Sequence, residues 1–165
     1  CRTVGIVGLE DKRQIALDDF GFDACVSYRS PSFVDDLRAA CPDGIDVYFD
    51  NVGGAVLEAA VSMLRRHARV VLCGLSSQYN QDQRPAGPNL GPVIGARARL
   101  EGLVVYDHLD RFAEFHAEVA PLVRSGALRY REELSEGLVS APQAFVGLMQ
   151  GRNRGKTLVR VGDLS

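Results

Sequence analysis

Two short apolar runs stop abruptly on amide or glycine residues, and they constrain this chain more than any other feature. The first is Gly44-Ile-Asp-Val-Tyr-Phe-Asp-Asn-Val-Gly-Gly54; the second is Val70-Val-Leu-Cys-Gly-Leu-Ser-Ser-Gln-Tyr-Asn80. A short run rich in β-branched and aromatic residues has the character of a buried parallel strand. In an open α/β sheet, ligands bind outside the carboxyl ends of such strands. The two runs therefore read as adjacent walls of one ligand site.

The remaining segments alternate between strand-like and helix-like patterns. Thr3–Gly8, Ala24–Ser27, Ile45–Asp50, Arg69–Cys73 and Leu100–Tyr106 read as strands. Helical spacing covers Asp11–Phe20, Ser30 to about Ala40, Val56–Leu64 (amphipathic, leading into Arg65-Arg66-His67), Val93–Arg99 and Leu109–Arg124. An extended piece over Leu128–Leu138, a helix over Pro142–Met149 and a strand over Thr157–Val161 complete the tail. Gly74–Gly91 holds three Gly and two Pro and reads as a long polar loop, a kind that is often functional. Strand–helix alternation at this spacing predicts an α/β fold, a doubly wound parallel sheet with helices on both faces.

Length and composition narrow the function. The chain has 165 residues, 46% hydrophobic and 24% charged, which suits one globular unit with a substantial core. A net charge of −2 gives no general affinity for nucleic acid or anionic membrane. No apolar run approaches the ~20 residues of a membrane span. Cys1, Cys25, Cys41 and Cys73 form no CxxC pair, and His67, His108 and His116 have no zinc-ligand spacing. Cys25 and Cys73 read as small hydrophobes inside apolar runs. No metal site and no disulfide framework are expected, as suits a reducing cytoplasm.

Five blocks carry a resemblance: Gly21-Phe-Asp-Ala24, Gly44–Gly54, Cys73–Asn80, Glu101-Gly102 and Gly155-Lys156. In order and spacing they resemble the prostaglandin reductase and alkenal reductase branch of the medium-chain dehydrogenase/reductase superfamily. The resemblance implies a zinc-free, NADPH-dependent enzyme that delivers hydride to the β-carbon of an α,β-unsaturated ketone or aldehyde. It further implies a homodimer paired through Leu100–Val105. Residues 1–126 match a partial NADP-binding Rossmann domain, and residues 127–165 match a segment completing the substrate domain. The match begins at the family's second Rossmann strand, without the first strand and its glycine-rich turn.

That start carries an expectation. In the order 3-2-1-4-5-6 the first strand is central, so without it Thr3–Gly8 and Ile45–Asp50 each present an unpaired edge. Each unmet backbone group costs ~1–3 kcal/mol against a total stability of ~5–15 kcal/mol. The chain is therefore expected to be part of a longer enzyme. Isolated, it should be unstable, rearranged or completed by something else.

The resemblance also assigns residues. Lys12 and Tyr28 hold the 2′-phosphate of NADPH, for which an ammonium and a phenol are competent partners; Arg13 and Arg29 are candidates to supplement them. Glu10 and Asp11 stand beside this pair, favourably placed at a helix N-terminus. Asn51 lies at the cofactor, whereas Asp50 is a doubtful ligand because an acid repels phosphate. Cys73, Gly74, Leu75, Ser76, Ser77 and Gln78 line the cofactor, Gly74 allowing close backbone approach. Tyr79 is the catalytic candidate, its hydroxyl stabilising the developing enolate. Leu103, Val104 and Val105 offer backbone to the carboxamide while their side chains mostly pack, and Asn153 contacts cofactor.

Plainer readings stay open. Lys12 can be a solvated first-turn residue, Tyr28 a strand-end aromatic, Asn51 a helix cap, Tyr79 a loop anchor and Asn153 a turn residue. The whole chain also reads as a non-catalytic Rossmann remnant or interaction module. A methyltransferase using S-adenosylmethionine is the third possibility, opposed by the tail strand and the Ser76-Ser-Gln-Tyr79 loop.

Overall fold

The computed structural model describes residues 1–83 and 85–162; Arg84, inside the expected polar loop, lies outside them. Strand β1 (Val4–Val7), helix α1 (Glu10–Asp18), strand β2 (Ala24–Ser27) and helix α2 (Phe33–Ala40) come first. Strand β3 (Ile45–Asp50), helix α3 (Gly54–Val61) and strand β4 (Leu64–Leu72) follow. Helix α4 (Gly91–Ala96), strand β5 (Arg99–Gly102) and helix α5 (Phe112–Arg124) lead into strand β6 (Glu132–Glu136), helix α6 (Ala141–Met149) and strand β7 (Lys156–Arg160). Every strand pairing is parallel: β1 with β2, β4 with both β3 and β5, and β6 with β7. The α/β class and the parallel pairing are as the alternation predicts, but the described strands fall into three sheets, β1–β2, β3–β4–β5 and β6–β7.

Three elements differ from expectation. Helix α3 ends at Val61, and Arg65–His67 belong to β4, which starts five residues before the expected Arg69. The register between β3 and β4 shifts between Ile45 and Val47, and His67 takes a left-handed conformation (φ 67°). Such an irregular strand is invisible to a period-2 pattern. Strand β5 stops at Gly102 rather than Tyr106, because Val105–Arg111 turns into a 3-10 helix ahead of α5. Helix α3 is not amphipathic: Val56, Leu57, Ala59, Ala60 and Val61 are all buried.

That all-round burial explains how the layers hold together. Val56 and Ala59 pack with Val26, Phe33 and Leu37, the cluster over β1 and β2. Leu57 and Val61 pack with Val70 of β4, in the cluster that also takes Leu100 of β5. A helix buried on opposite faces lies between two layers of core. Here α3 joins the two-stranded sheet to the three-stranded one.

Between those sheets lies a cavity of about 1000 Å³, walled by Thr3–Val7 on one side and Ile45–Asn51 on the other. Facing it, Val47 and Phe49 remain 60% and 59% exposed, so β3 is not the fully buried strand its composition suggests. Among the described residues no strand pairs with the facing edges of β1 and β3. In hydrogen–deuterium exchange, the amides of β1 and β3 not engaged with β2 or β4 should exchange much faster than those of Val70–Leu72. Equal protection across both edges would show that the slot is closed in solution.

Candidate functional site

The carboxyl ends of β1 to β5 carry the predicted residues in two groups. The first surrounds the end of β1. Tyr28, just past β2, hydrogen-bonds its backbone N–H to the Val7 carbonyl at 2.9 Å. Its ring and hydroxyl occupy the space a side chain on Gly8 would need. Lys12, in the first turn of α1, donates from Nζ to the Gly151 carbonyl at 2.7 Å. Lys12 is thus half-buried rather than freely solvated, and burial pushes its ammonium below the ordinary lysine value. Asn153 lies in the same α6–β7 turn and donates from Nδ2 to the Gly155 carbonyl at 2.9 Å, which fits a turn residue. The guanidinium of Arg29 lies 5.9 Å from the Tyr28 ring centroid, within cation–π range.

The second group surrounds the ends of β3 and β4, and a buried carboxylate organises it. Asp50 is 0% exposed. Its Oδ1 accepts from the Tyr48 hydroxyl at 2.8 Å and from the Val52 N–H at 3.1 Å. Gly53 N–H donates to both carboxylate oxygens, at 3.1 and 3.0 Å. Burial, reinforced by Asp50, pushes the Tyr48 phenol far above its ordinary value, so it stays a neutral donor. The backbone carbonyl of Asp50 accepts from Cys73 N–H at 2.8 Å. Beyond it, Ser76 N–H reaches Asn51 O at 3.1 Å, and the Ser77 hydroxyl reaches Val52 O at 2.6 Å.

These bonds stitch the β3–α3 turn to the loop after β4. Gly53, at φ 72°, supplies the left-handed residue the turn needs. No side chain caps α3, so the capping alternative for Asn51 does not hold; Asp50 instead binds the Val52 and Gly53 N–H groups of the turn that leads into the helix. Asn51 is consequently free to reach over Gly74, where any side chain would overlap its Oδ1. The Tyr79 hydroxyl closes on the same spot while the residue stays 62% exposed, so Tyr79 is not a packed anchor.

Other predicted positions are brought alongside rather than in. Leu103 N–H bonds the Leu72 carbonyl at 2.9 Å, continuing the β4–β5 ladder. Val104 and Val105 are each 55% exposed, so their side chains do not pack as expected. Cys73 is exposed because β4 ends at Leu72, whereas Cys25 is buried. Leu75, Ser76 and Ser77 are exposed and Gln78 half-buried around a 3-10 turn. The cavity joins the two groups: Lys12, Asn51 and Asn153 all line it.

The structural work of Asp50 was underestimated from sequence, although a carboxylate two and three residues ahead of turn N–H groups is a recognisable Asx pattern. Replacing Asp50 by Ala strands one hydroxyl and two backbone donors, each worth ~1–3 kcal/mol. Asp50→Ala should therefore lose at least ~3 kcal/mol in chemical denaturation, and Asp50→Asn, which keeps an acceptor, clearly less. Equal stability of Asp50→Ala and the parent would contradict this role.

The family described as zinc-binding dehydrogenase matches residues 1–123. An NADPH-dependent curcumin reductase of Escherichia coli is 41% identical over 170 residues, covering 99% of this chain and 49% of that protein. A 2-alkenal reductase (NADP(+)-dependent) of Nicotiana tabacum is 39% identical over 165 residues, covering 98% and 47% respectively. The crystal structure of CurA in complex with NADPH from Vibrio vulnificus superimposes with a TM-score of 0.93 at 39% identity, over 99% of this chain and 50% of that one. The chain spans about half the length of the curated relatives it matches. The family description names zinc, but among the described residues no three His, Cys, Asp or Glu come together to hold a metal ion.

Proposed function

As this chain belongs to the zinc-binding dehydrogenase family, we propose that it is part of an NADPH-dependent oxidoreductase that reduces the C=C bond of α,β-unsaturated ketones and aldehydes. Residues 1–126 serve as the partial nucleotide-binding domain, and residues 127–165 complete the substrate domain. The observation that carries the reading is the convergence of Lys12, Asn51 and Asn153, from three distant parts of the chain, on one cavity. The close approach of Tyr28 to Gly8 and of Asn51 to Gly74 puts both polar side chains at the strand ends, where an open α/β sheet binds its ligand.

When NADPH is bound, its reduced nicotinamide supplies the hydride for the β-carbon of the substrate. The chain's residues do the rest. Lys12 offers ammonium donors and Tyr28 a phenol to the 2′-phosphate. Asn51, held over Gly74 by the Asp50 turn, and the backbone of Leu103–Val105 orient the nicotinamide end. Tyr79, exposed beside Asn51, donates its hydroxyl to the carbonyl oxygen as enolate charge develops, a contribution of several kcal/mol in such sites. The reaction runs without zinc, in a reducing cytoplasm.

The slot between β1 and β3 takes one further strand, whose following turn cradles the cofactor pyrophosphate. The outer edge of β5 pairs with its copy in a homodimer.

Cofactor fluorescence tests the proposal. The 165-residue chain should bind NADPH weakly, and the same chain extended by a strand and glycine-rich turn at its front at least tenfold more tightly. Lys12→Ala in the extended chain should weaken NADPH far more than NADH. If the extended chain binds no NADPH, the reductase reading fails; equal losses for both cofactors would remove the 2′-phosphate role of Lys12.

A further inference from the structure

The turn between α6 and β7 is pinned to α1 at two points 139 and 143 residues apart in sequence. One is the Lys12 Nζ bond to Gly151 O; the other is an ion pair from Arg154 Nε to Asp11 Oδ2 at 2.5 Å. Both partners of that pair are half in solvent, with side-chain exposures of 52% and 39%, so its stabilising value is small. Its electrostatic consequence is larger. Three successive residues of α1, Glu10, Asp11 and Lys12, bring two acids next to the cation assigned to the phosphate. Glu10 is taken up by Arg13 at 2.7 Å, and Asp11 by Arg154. Among the described residues the Lys12 ammonium hydrogen-bonds only a neutral carbonyl, which uses one of its three donors. Glu133 of β6 is the remaining acid acting on Lys12, through space and without an ion pair among the described residues. Arg29 adds a further positive charge on the Tyr28 side.

We propose that Arg154 is a cofactor-selectivity residue: by holding Asp11 in an ion pair it keeps the Lys12–Tyr28 end of the site net positive, so the α6–β7 turn favours a 2′-phosphorylated nucleotide over its unphosphorylated counterpart. This rests on the assignment of Lys12 and Tyr28 to the 2′-phosphate. Asp11 is the acid that matters, because its other oxygen already accepts from the Lys12 backbone N–H at 2.9 Å and so sits at that lysine. The Arg154 hydrogen bond holds the Asp11 carboxyl below the usual carboxylate range. A carboxylate left uncancelled beside a doubly charged phosphate weakens its binding roughly five- to tenfold at low salt. Arg154 acts through Asp11 and is a positioning residue in this scheme.

Adenosine 2′,5′-bisphosphate and 5′-AMP probe this end of the site alone, in the chain extended at its front by the strand and glycine-rich turn. Calorimetry would compare the parent, Arg154→Met, Asp11→Asn and the double variant. The parent should prefer the bisphosphate. At low salt, Arg154→Met should lose about five- to tenfold in affinity for it while 5′-AMP changes less than twofold. Asp11→Asn should bind at least as well as the parent and should rescue Arg154→Met to within twofold. An NMR titration of the Asp11 carboxyl supplies a readout independent of any nucleotide: its midpoint should rise in Arg154→Met. Unchanged bisphosphate affinity in Arg154→Met overturns the proposal and leaves the 2′-phosphate assignment standing. Failure of Asp11→Asn to rescue overturns the charge-cancelling route. A parent without preference for the bisphosphate overturns the assignment of Lys12 and the proposal together.

Discussion

The carboxylate of Asp50 is the interaction on which the site depends. It is fully buried, yet its oxygens receive a phenol and two turn amides. A buried carboxylate is costly unless its lone pairs are met, so this arrangement admits only one path for the chain leaving β3. That path presents Asn51 to solvent, opens α3 at Gly53 without a side-chain cap, and leaves Asp50 O and Asn51 O to receive the loop after β4. Asn51, Gly74 and Tyr79 meet because Asp50 holds the turn.

The second constraint is the open slot between β1 and β3. Two sheets that do not pair directly are held by α3, buried on opposite faces, while the α6–β7 turn ties the tail back to α1 through Gly151 and Arg154. The first contact is apolar and non-directional. The second is polar and specific, and it places the tail of the chain at the phosphate end of the proposed cofactor site. Tail and Rossmann half therefore meet at Lys12.

Much of the fold was legible because its signals are local. Ala24–Ser27 and Ile45–Asp50 are strands at the predicted bounds, and the parallel pairing follows from strand–helix alternation. The errors arise where a non-local or irregular feature rules. The His67 backbone and the register shift hide the early half of β4, and the all-round burial of α3 reflects two layers that no helical wheel can see. The site divides the same way. The grouping of Asn51, Gly74 and Tyr79 could be expected at adjacent strand ends. The partners of Lys12 and Asp11 could not, since Gly151 and Arg154 lie far along the chain and nothing in Gly151-Arg-Asn-Arg-Gly155 names a contact.

The central claim is that the two strand-end groups form one dinucleotide site. Amide chemical-shift mapping during addition of NADPH to the isotopically labelled chain, extended at its front by the strand and glycine-rich turn, tests it most directly, and it detects weak binding. The account predicts concerted shifts at Gly8, Lys12 and Tyr28 together with Asn51, Gly74, Tyr79 and Asn153, fitting a single dissociation constant. Shifts confined to one group, or scattered over α5 and the tail with neither group affected, would contradict it.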